Sequence, residues 1–351
     1  MSTATPAPLA RPSKPSVIPA LFHTTAFYIA LVVIALFVAF GFVTPNHAFW
    51  TIPNVISIGV NSAGLMLLAV GMTYVIASGN IDLSVGATLV LASVVAARVI
   101  IAVSGTPEEV VAGIYPNEMP AIWLGLLAAI LTGAAMGLIN GLLVTRLRVN
   151  SFVITLGTLG LATGLANVIT NGANVPYLPL SLQTEIGMRR VLGFPVPLLI
   201  ALALAIWAWI WLRRTTFGRH VLATGSSRRS ARRAGVKTNR VVMGVFLLAG
   251  VMAGVAGFLD LTKFGTTAIT GHETDMLQAL SAVIIGGTSL FGGRASMGGA
   301  IVATFIPITL LSGFVMMGIP PFYQYMAVGG ILIAAVYIDG LRRGQLSEQE
   351  V

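Results

Sequence analysis

Three polar side chains, Asn80, Asp82 and Ser84, stand close together between two apolar runs of membrane length. A carboxylate with amide and hydroxyl neighbours can cap a helix end or exchange hydrogen bonds with a polar solute. A charged side chain at membrane depth costs roughly 3 kcal/mol or more, so this acid needs an interface, a helix end or a wet cavity around it. Each of these settings is typical of a protein that handles solute in a membrane.

Two interpretations of Asp82 are open on the sequence. As a cap, its carboxylate would accept hydrogen bonds from the free N–H groups of a helix beginning at Leu83, where the helix dipole favours negative charge. As part of a site, Asp82 would face a translocation path together with Asn80 and Ser84 and bond to a polar solute. We favour the cap and keep the path as the alternative.

The composition places these residues in a polytopic membrane protein. Of the 351 residues, 56% are hydrophobic and 9% are charged, and the mean hydropathy is +0.92. A soluble domain carries about 25% charged residues, so the deficit is too large for a buried core. The 39 glycines and 17 prolines predict closely packed helices that break in places. With no cysteine and four scattered histidines, the chain encodes no disulfide, thiolate chemistry or metal site.

Ten apolar segments are candidates for membrane spans of about 20 residues each. The expected fold is therefore an all-α transmembrane helical bundle of about ten spans. The eighth segment is short and interrupted by glycine, so we expect a half-helix or a re-entrant segment there. The ten segments cover residues 26–43, 54–77, 84–103, 121–145, 151–171, 195–212, 241–262, 276–291, 295–317 and 323–338.

The distribution of Lys and Arg predicts the orientation of the bundle. Basic residues lie before the first span and after the fourth, sixth, eighth and tenth, which makes both termini cytoplasmic; Arg189, Arg190 and Lys263 are exceptions. The expected organisation is a disordered cytoplasmic tail at 1–20, a transmembrane domain at 21–341 and a cytoplasmic tail at 342–351. The formal charge of +9 reflects this bias, and we expect no nucleic-acid partner.

The loop 213–240 holds nine of the twenty Lys and Arg residues and no acid. Within it Ser227 is placed to cap a short helix that Gly235 would end. On that helix Arg228/Arg232 and Arg229/Arg233 are like-charge pairs at i,i+4, which weakens an isolated helix. We therefore expect an acidic surface of a partner against this helix, with anionic lipid headgroups as the alternative.

Three motifs, in chain order, carry a family resemblance. The segment GMTYVIASGNIDLSVG at 71–86 closely resembles the signature of inner-membrane permease subunits of ABC importers for ribose and related monosaccharides. The segment AVIIGGTSLFGGR at 282–294 resembles the glycine-rich C-terminal motif of the same family. Between them, the segment from Phe217 to Val236 is similar to the cytoplasmic segment that docks on the ATPase subunit. The resemblance spans most of the chain.

The resemblance implies a permease in the bacterial inner membrane that forms the path for a monosaccharide or a related polyol. Its implied partners are a cytoplasmic ABC ATPase, a periplasmic sugar-binding protein, a second permease copy or paralogue, and membrane lipid. The chain has no phosphate-binding Gly-x-x-x-x-Gly-Lys-Ser/Thr loop, so we expect it to be no enzyme and to bind no cofactor, ATP being used by the partner.

The same resemblance implies three groups of site residues. The candidates for the translocation path are Asn80, Asp82, Ser84, Thr288 and Ser289. The gating or packing glycines are Gly79, Gly86, Gly286, Gly287, Gly292 and Gly293. The residues expected to dock on the ATPase are Gly218, Arg228, Arg229, Ala231, Arg232, Arg233 and Gly235.

The chain departs from the family pattern in two segments. Asn80 stands where the family usually has a second glycine, and Arg228 and Arg229 stand near the place where the docking segment commonly has an acid. A branched-chain amino acid permease with a similar layout is one alternative function. A secondary transporter is another, but it would need more intramembrane charge than Asp82, Asp260 and Lys263 provide.

Other polar residues have structural explanations. Asn61 and Asn140 suit hydrogen bonds between helices at least as well as contact with substrate. Trp207, Trp209 and Trp211 precede Arg213 and are typical of an aromatic belt at the membrane interface. The loop 271–275 falls on the external side, where we expect a solvated loop, with contact to the binding protein as the alternative.

Overall fold

The computed structural model describes residues 25–320, 322–323, 326–330, 332–334 and 336–337. The expected tails at 1–20 and 342–351 lie outside the described residues, and the tenth expected span, 323–338, is described only in part.

Helices make up nearly all of the regular structure in the described residues. A 3₁₀ segment at Pro45–Trp50, a π-helical turn at Leu182–Gly187 and a two-residue antiparallel ribbon of β1 (Arg190–Val191) and β2 (Phe194–Pro195) interrupt them. The helices are α1 (Thr25–Val43), α2 (Ile52–Ala77), α3 (Val85–Ser104), α4 (Pro107–Val111), α5 (Glu118–Arg146), α6 (Ser151–Thr170), α7 (Val196–Arg214), α8 (Thr216–Ser226), α9 (Arg228–Arg233), α10 (Thr238–Phe264), α11 (Asp275–Ile285), α12 (Met297–Ala303) and α13 (Phe305–Met316).

Eight segments of the described chain are long and apolar enough to cross a membrane. Seven of them are α1, α2, α3, α5, α6, α7 and α10, which agree with the first seven expected spans, and the eighth is the α12–α13 segment Met297–Met316. The expected half-helix is α11, whose 11 residues span about 16 Å, half of the roughly 30 Å hydrocarbon core. The sequence expectation of a short eighth segment is confirmed.

Helix α10 lies at the centre of the bundle, packed against α2, α3 and α5. Glycines on α5 and α10 let the two backbones touch: a Cβ added to Gly133 would lie 2.8 Å from the Gly254 nitrogen, and one added to Gly250 would lie 2.9 Å from the Gly137 Cα. Small residues that permit such contact are the usual means of helix association in membranes, where water supplies no hydrophobic driving force. The high glycine content thus has its packing explanation here.

An aromatic stack joins α2, α7 and α8 near the basic loop. Trp211 stacks on Phe217 with a centroid distance of 4.9 Å, and the Tyr74 hydroxyl donates to the Ala208 carbonyl at 2.6 Å. Trp207 and Trp209 are exposed, as expected of interface anchors, whereas Trp211 is half-buried within the stack. The stack fixes α8, the first part of the expected docking segment, against two membrane-length helices.

Candidate translocation site and motif junction

Asp82 is buried, at 2% exposure, in the turn between α2 and α3. Its Oδ1 accepts hydrogen bonds from the Ser84 N–H at 2.9 Å and the Ser84 hydroxyl at 2.7 Å. The helix begins at Val85 rather than at the expected Leu83, so Asp82 closes the turn ahead of the helix instead of capping the helix itself. Burial raises the pKa of the Asp82 carboxyl, and the hydrogen bonds from Ser84 oppose that rise.

A chain of polar side chains runs from Asp82 across three helices. The Asn140 amide of α5 donates to the Ser84 hydroxyl at 2.7 Å and accepts from the Thr158 hydroxyl of α6 at 2.6 Å. The Ile81 N–H donates to the Ser151 hydroxyl at 3.0 Å. The interhelical role expected of Asn140 is confirmed. Asn80, Asp82 and Ser84 are all buried, and we call them the polar layer. Asn80 bonds to the Ser78 hydroxyl at 2.8 Å and also lines a groove beside α9.

The three motifs of the sequence meet at one point, which we call the motif junction and define as residues 77–80, 225–226 and 292–293. The Gly293 N–H donates to the Ala77 carbonyl at 3.0 Å. A Cβ on Gly225 would overlap that carbonyl and lie 2.6 Å from the Gly293 nitrogen, and a Cβ on Gly292 would lie 2.9 Å from the Gly79 Cα. Gly79 and Gly292 also have φ values of 77° and 86°, which side chains rarely adopt.

The remaining residues of the glycine-rich motif build the turn from α11 to α12. The Thr288 hydroxyl accepts from the Ser296 N–H at 3.0 Å, and the Ser289 N–H donates to the Arg294 carbonyl at 3.2 Å. Gly286 touches the α12 backbone, since a Cβ there would lie 2.6 Å from the Ala300 Cα, and Gly287 has a φ of 93°. Thr288 and Ser289 are both buried in this turn.

The basic loop folds into α8, α9 and the turn before α10. The Ser227 hydroxyl accepts from the Ser230 N–H at 3.2 Å, and Gly235 follows the helix with a φ of 85°. The expected cap and stop are both confirmed. Ala231 faces inward, Gly218 of α8 touches the Leu212 carbonyl of α7, and the side chains of Arg228, Arg229, Arg232 and Arg233 are exposed.

A cavity of about 640 Å³ opens at the opposite end of α10, lined there by Asp260 and Lys263. We call it the polar cavity for these charged groups, although apolar residues supply more of its wall. The first turns of α2 contribute Asn54 and Asn61, and the bottom of the cavity reaches Leu65 and Leu89. A volume of this size falls within the range of small-molecule sites. Leu89 of α3, which borders the cavity, is five residues after Ser84.

His272 bridges two carboxylates at the wall of the polar cavity. Its Nδ1 lies 2.7 Å from the Asp275 Oδ2, and its Nε2 lies 3.0 Å from the Asp260 Oδ2. Burial lowers the pKa of His272, but the hydrogen bonds and charges of the two acids outweigh it and raise the pKa to about 10. At neutral pH the ring is therefore an imidazolium that donates from both nitrogens. We call these three residues the charged cluster.

The charged cluster corrects the expectation for the loop 271–275. Gly271 and Glu273 are exposed, as a solvated loop requires, but His272 and Asp275 are half-buried and paired. The carbonyl of His272 also approaches the start of α3, where a Cβ on Gly86 would lie 3.3 Å from it. An acid near the end of one apolar span followed by a histidine near the start of the next was the signal available in the sequence.

Arg98 is a second charged residue that the hydropathy of its apolar span did not reveal. It lies within α3, and its Nη2 donates to the Ile169 carbonyl of α6 at 2.8 Å. Carbonyls in the last turn of a helix lack helical donors and favour a positive charge, so Arg98 satisfies the end of α6.

Comparison with known proteins matches this chain to transport permeases. The family model described as "Branched-chain amino acid transport system / permease component" matches residues 54–336. A ribose import permease protein of Escherichia coli K12 is 33% identical over 306 residues, which cover 86% of this chain and 89% of that protein. A D-allose transport system permease protein of the same strain is 31% identical, with 90% of each chain covered. An L-arabinose ABC transporter permease protein of Azospirillum brasilense is 31% identical, with 90% and 88% covered. No solved structure matches the chain significantly.

Proposed function

This chain belongs to the family of ABC-importer permeases that the ribose, allose and arabinose permeases represent, and from that premise we propose that it carries a monosaccharide or a related polyol across the bacterial inner membrane. The observation that carries this proposal is the polar cavity together with the polar layer of Asn80, Asp82 and Ser84. Amides, carboxylates and an ammonium group line the cavity and suit a ligand rich in hydroxyl groups.

The sugar path follows from the positions of the cavity and the layer. Leu89 at the bottom of the cavity is five residues beyond Ser84, which is about 7.5 Å along α3. The layer of Asn80, Asp82 and Ser84 therefore acts as the barrier, and it becomes part of the path when the turn opens. Thr288 and Ser289 join the path when the α11–α12 turn moves with it.

The ATPase acts on the barrier through the motif junction. In our proposal it docks on the exposed face of α9 that carries Arg229 and Arg233, while the buried Gly218 and Ala231 hold α8 and α9 against the bundle. Helix α8 ends at Ser226 and meets Ala77 and Gly293 by backbone contact, so a displacement of α8 reaches both glycine motifs without an intervening side chain. This is a physical connection between two packed elements rather than a statistical one. ATP is bound and hydrolysed by that partner, and this chain holds no cofactor.

The ten-span topology with cytoplasmic termini is supported by charge. The basic loop, the end of α5 at Arg146 and the end of α7 at Arg213 and Arg214 share one side, and Glu108 and Glu118 share the other. Cytoplasmic loops carry the excess of Lys and Arg, so the basic side is cytoplasmic and the polar cavity is external. The periplasmic binding protein then delivers sugar to the mouth of that cavity.

A second permease, either a copy or a related chain, pairs through α6. This helix is among the least buried spans, and a Cβ added to Gly157, Gly160 or Gly164 would meet no atom within 4 Å. Glycines at such spacing let two membrane helices approach closely.

The amino acid alternative rests on the name of the family model. Both apolar and polar side chains line this cavity, so the relatives named for ribose, allose and arabinose, rather than the cavity itself, favour a sugar.

ATPase activity of the reconstituted complex with its cognate binding protein tests the proposal against a panel of sugars, polyols and branched-chain amino acids. We expect stimulation by one sugar or polyol. Stimulation by an amino acid would transfer the chain to the alternative, and uptake driven by an ion gradient without an ATPase would reject the importer function.

A further inference from the structure

A groove beside α9 carries strong positive charge, and it touches the polar layer at Asn80 alone. Its volume is about 1070 Å³, and the α5–α6 turn, the Gly79–Asn80 turn and the segment 235–240 form its other walls. Among the described residues, no carboxylate lines this groove. Its cationic lining residues, which define it as the basic groove, are Arg148, Arg228, Arg232, Lys237 and Arg240.

The cations of the basic groove have only neutral partners within the described chain. Arg228 donates to the Asn239 amide oxygen at 3.2 Å, and Arg232 donates to the Thr238 hydroxyl at 3.3 Å. Burial and the neighbouring Arg232 charge both lower the pKa of Arg228, which shows that the pair repel each other. An anion between them would relieve that repulsion and use the remaining guanidinium donors.

The backbone and the flanks of the basic groove indicate what kind of anion fits. Arg148 has a φ of 57°, a strained value for a residue with a side chain, and strain of this kind clusters at binding sites. Its neighbours Leu147 and Val149 are 58% and 41% exposed, at the end of the membrane-length helix α5. The groove therefore sets phosphate-binding side chains beside bare apolar surface at the membrane boundary.

We propose that the basic groove binds the phosphate headgroup of an anionic phospholipid, whose acyl chains lie over Leu147 and Val149. The apolar flank favours a lipid over an acidic protein segment, which would have no use for it. Arg228 and Arg232 line the groove, whereas Arg229 and Arg233 do not. The lipid site therefore assigns Arg228 and Arg232 to the lipid and leaves Arg229 and Arg233 to the ATPase, which revises the docking expected of the first two.

Melting of the delipidated full-length chain in detergent tests this site, with dioleoylphosphatidylglycerol, dioleoylphosphatidylcholine and inorganic phosphate as separate additions. We expect phosphatidylglycerol to raise the melting temperature of the wild type and phosphatidylcholine to do so much less. In Arg228→Gln/Arg232→Gln the phosphatidylglycerol shift should fall at least threefold. Arg228→Lys/Arg232→Lys should keep most of it, since the charges remain. Arg214→Gln/Arg219→Gln removes two exposed arginines elsewhere on the same side and should respond as the wild type does.

Three results would overturn the proposal. Equal loss in both glutamine double variants would mean that the lipid responds to net charge alone. A full shift with inorganic phosphate would mean that the groove holds a free anion. An unchanged lipid shift combined with loss of the co-purifying ATPase in Arg228→Gln/Arg232→Gln would assign the groove to an acidic segment of the partner.

Discussion

The two ends of the bundle are held together by different physics. At the polar cavity, the charged cluster joins the end of α10 to the start of α11 through three side chains. At the motif junction, α2, α8 and the α11–α12 turn meet through backbone atoms, with glycine at each close approach. The side-chain contacts of the charged cluster can change with rotamer and with pH. The backbone contacts of the motif junction leave no room for a Cβ atom. In our proposal the end that meets the ligand is therefore the adjustable end, and the end that meets the ATPase is the rigid one.

The largest expected effect comes from a substitution at the motif junction. Gly225→Val would place a branched side chain against the Ala77 carbonyl and the Gly293 nitrogen, and overpacking of this kind costs about 3 kcal/mol. We expect a clear fall in the melting temperature and loss of sugar-stimulated ATPase activity in the complex. Gly298→Ala is the matched control, because a Cβ there meets Trp209 only at an ordinary 3.5 Å. Equal behaviour of the two variants would show that the junction is not sterically strict.

The second prediction asks whether buried Asp82, next to the motif junction, stabilises its turn through its hydrogen bonds or through its negative charge. Asp82→Ala leaves the buried Ser84 N–H without its acceptor, which costs about 1–3 kcal/mol. Asp82→Asn keeps an oxygen at that position, so it should retain most of the stability, as measured by thermal unfolding in detergent. If Asp82→Asn proved as unstable as Asp82→Ala, the negative charge itself would be what the turn requires.

The third prediction sharpens the pH sensitivity of the adjustable end. The folded pKa of His272, about 10, lies above its ordinary value of 6.5, so the cluster stabilises the fold fully below about pH 6.5 and this contribution is lost as the pH rises towards 10. We expect the difference in melting temperature between the wild type and His272→Gln to be largest at pH 6 and to shrink by pH 10. A difference that is independent of pH would mean that the pKa of His272 is the same in the folded and unfolded states.

The smallest effect concerns Thr224, next to the junction. Among the described residues, its buried hydroxyl is the one buried side-chain polar atom without a hydrogen-bond partner. Thr224→Val replaces the hydroxyl with a methyl group of similar shape and should stabilise the chain by about 1 kcal/mol. A matched Thr158→Val, which breaks the bond to Asn140, should lower the melting temperature instead. Destabilisation by Thr224→Val would indicate that the hydroxyl has a partner in the assembled complex.

The helices themselves could be predicted closely from the sequence. Runs of apolar residues placed α1, α2 and α10 within a few residues, since membrane length and hydropathy leave little choice. The helix cap at Ser227 and the helix end at Gly235 were also predictable, because each depends on residues within one turn of the chain. The start of α3 was placed two residues early, because the Asp82 carboxylate bonds within the turn and delays the helix.

The sequence by itself determined the class, the helical spans and the motifs, because composition and local hydrogen bonding act over short stretches of chain. Only the tertiary structure decided that Gly79, Gly225 and Gly292 touch one another and that His272 pairs with Asp260. It also decided that Asp82, expected as a helix cap with a place in the path as the alternative, is buried in the turn before α3 and bonds to Ser84. These contacts join residues far apart in the chain, and their geometry depends on how whole helices pack, which no local pattern records.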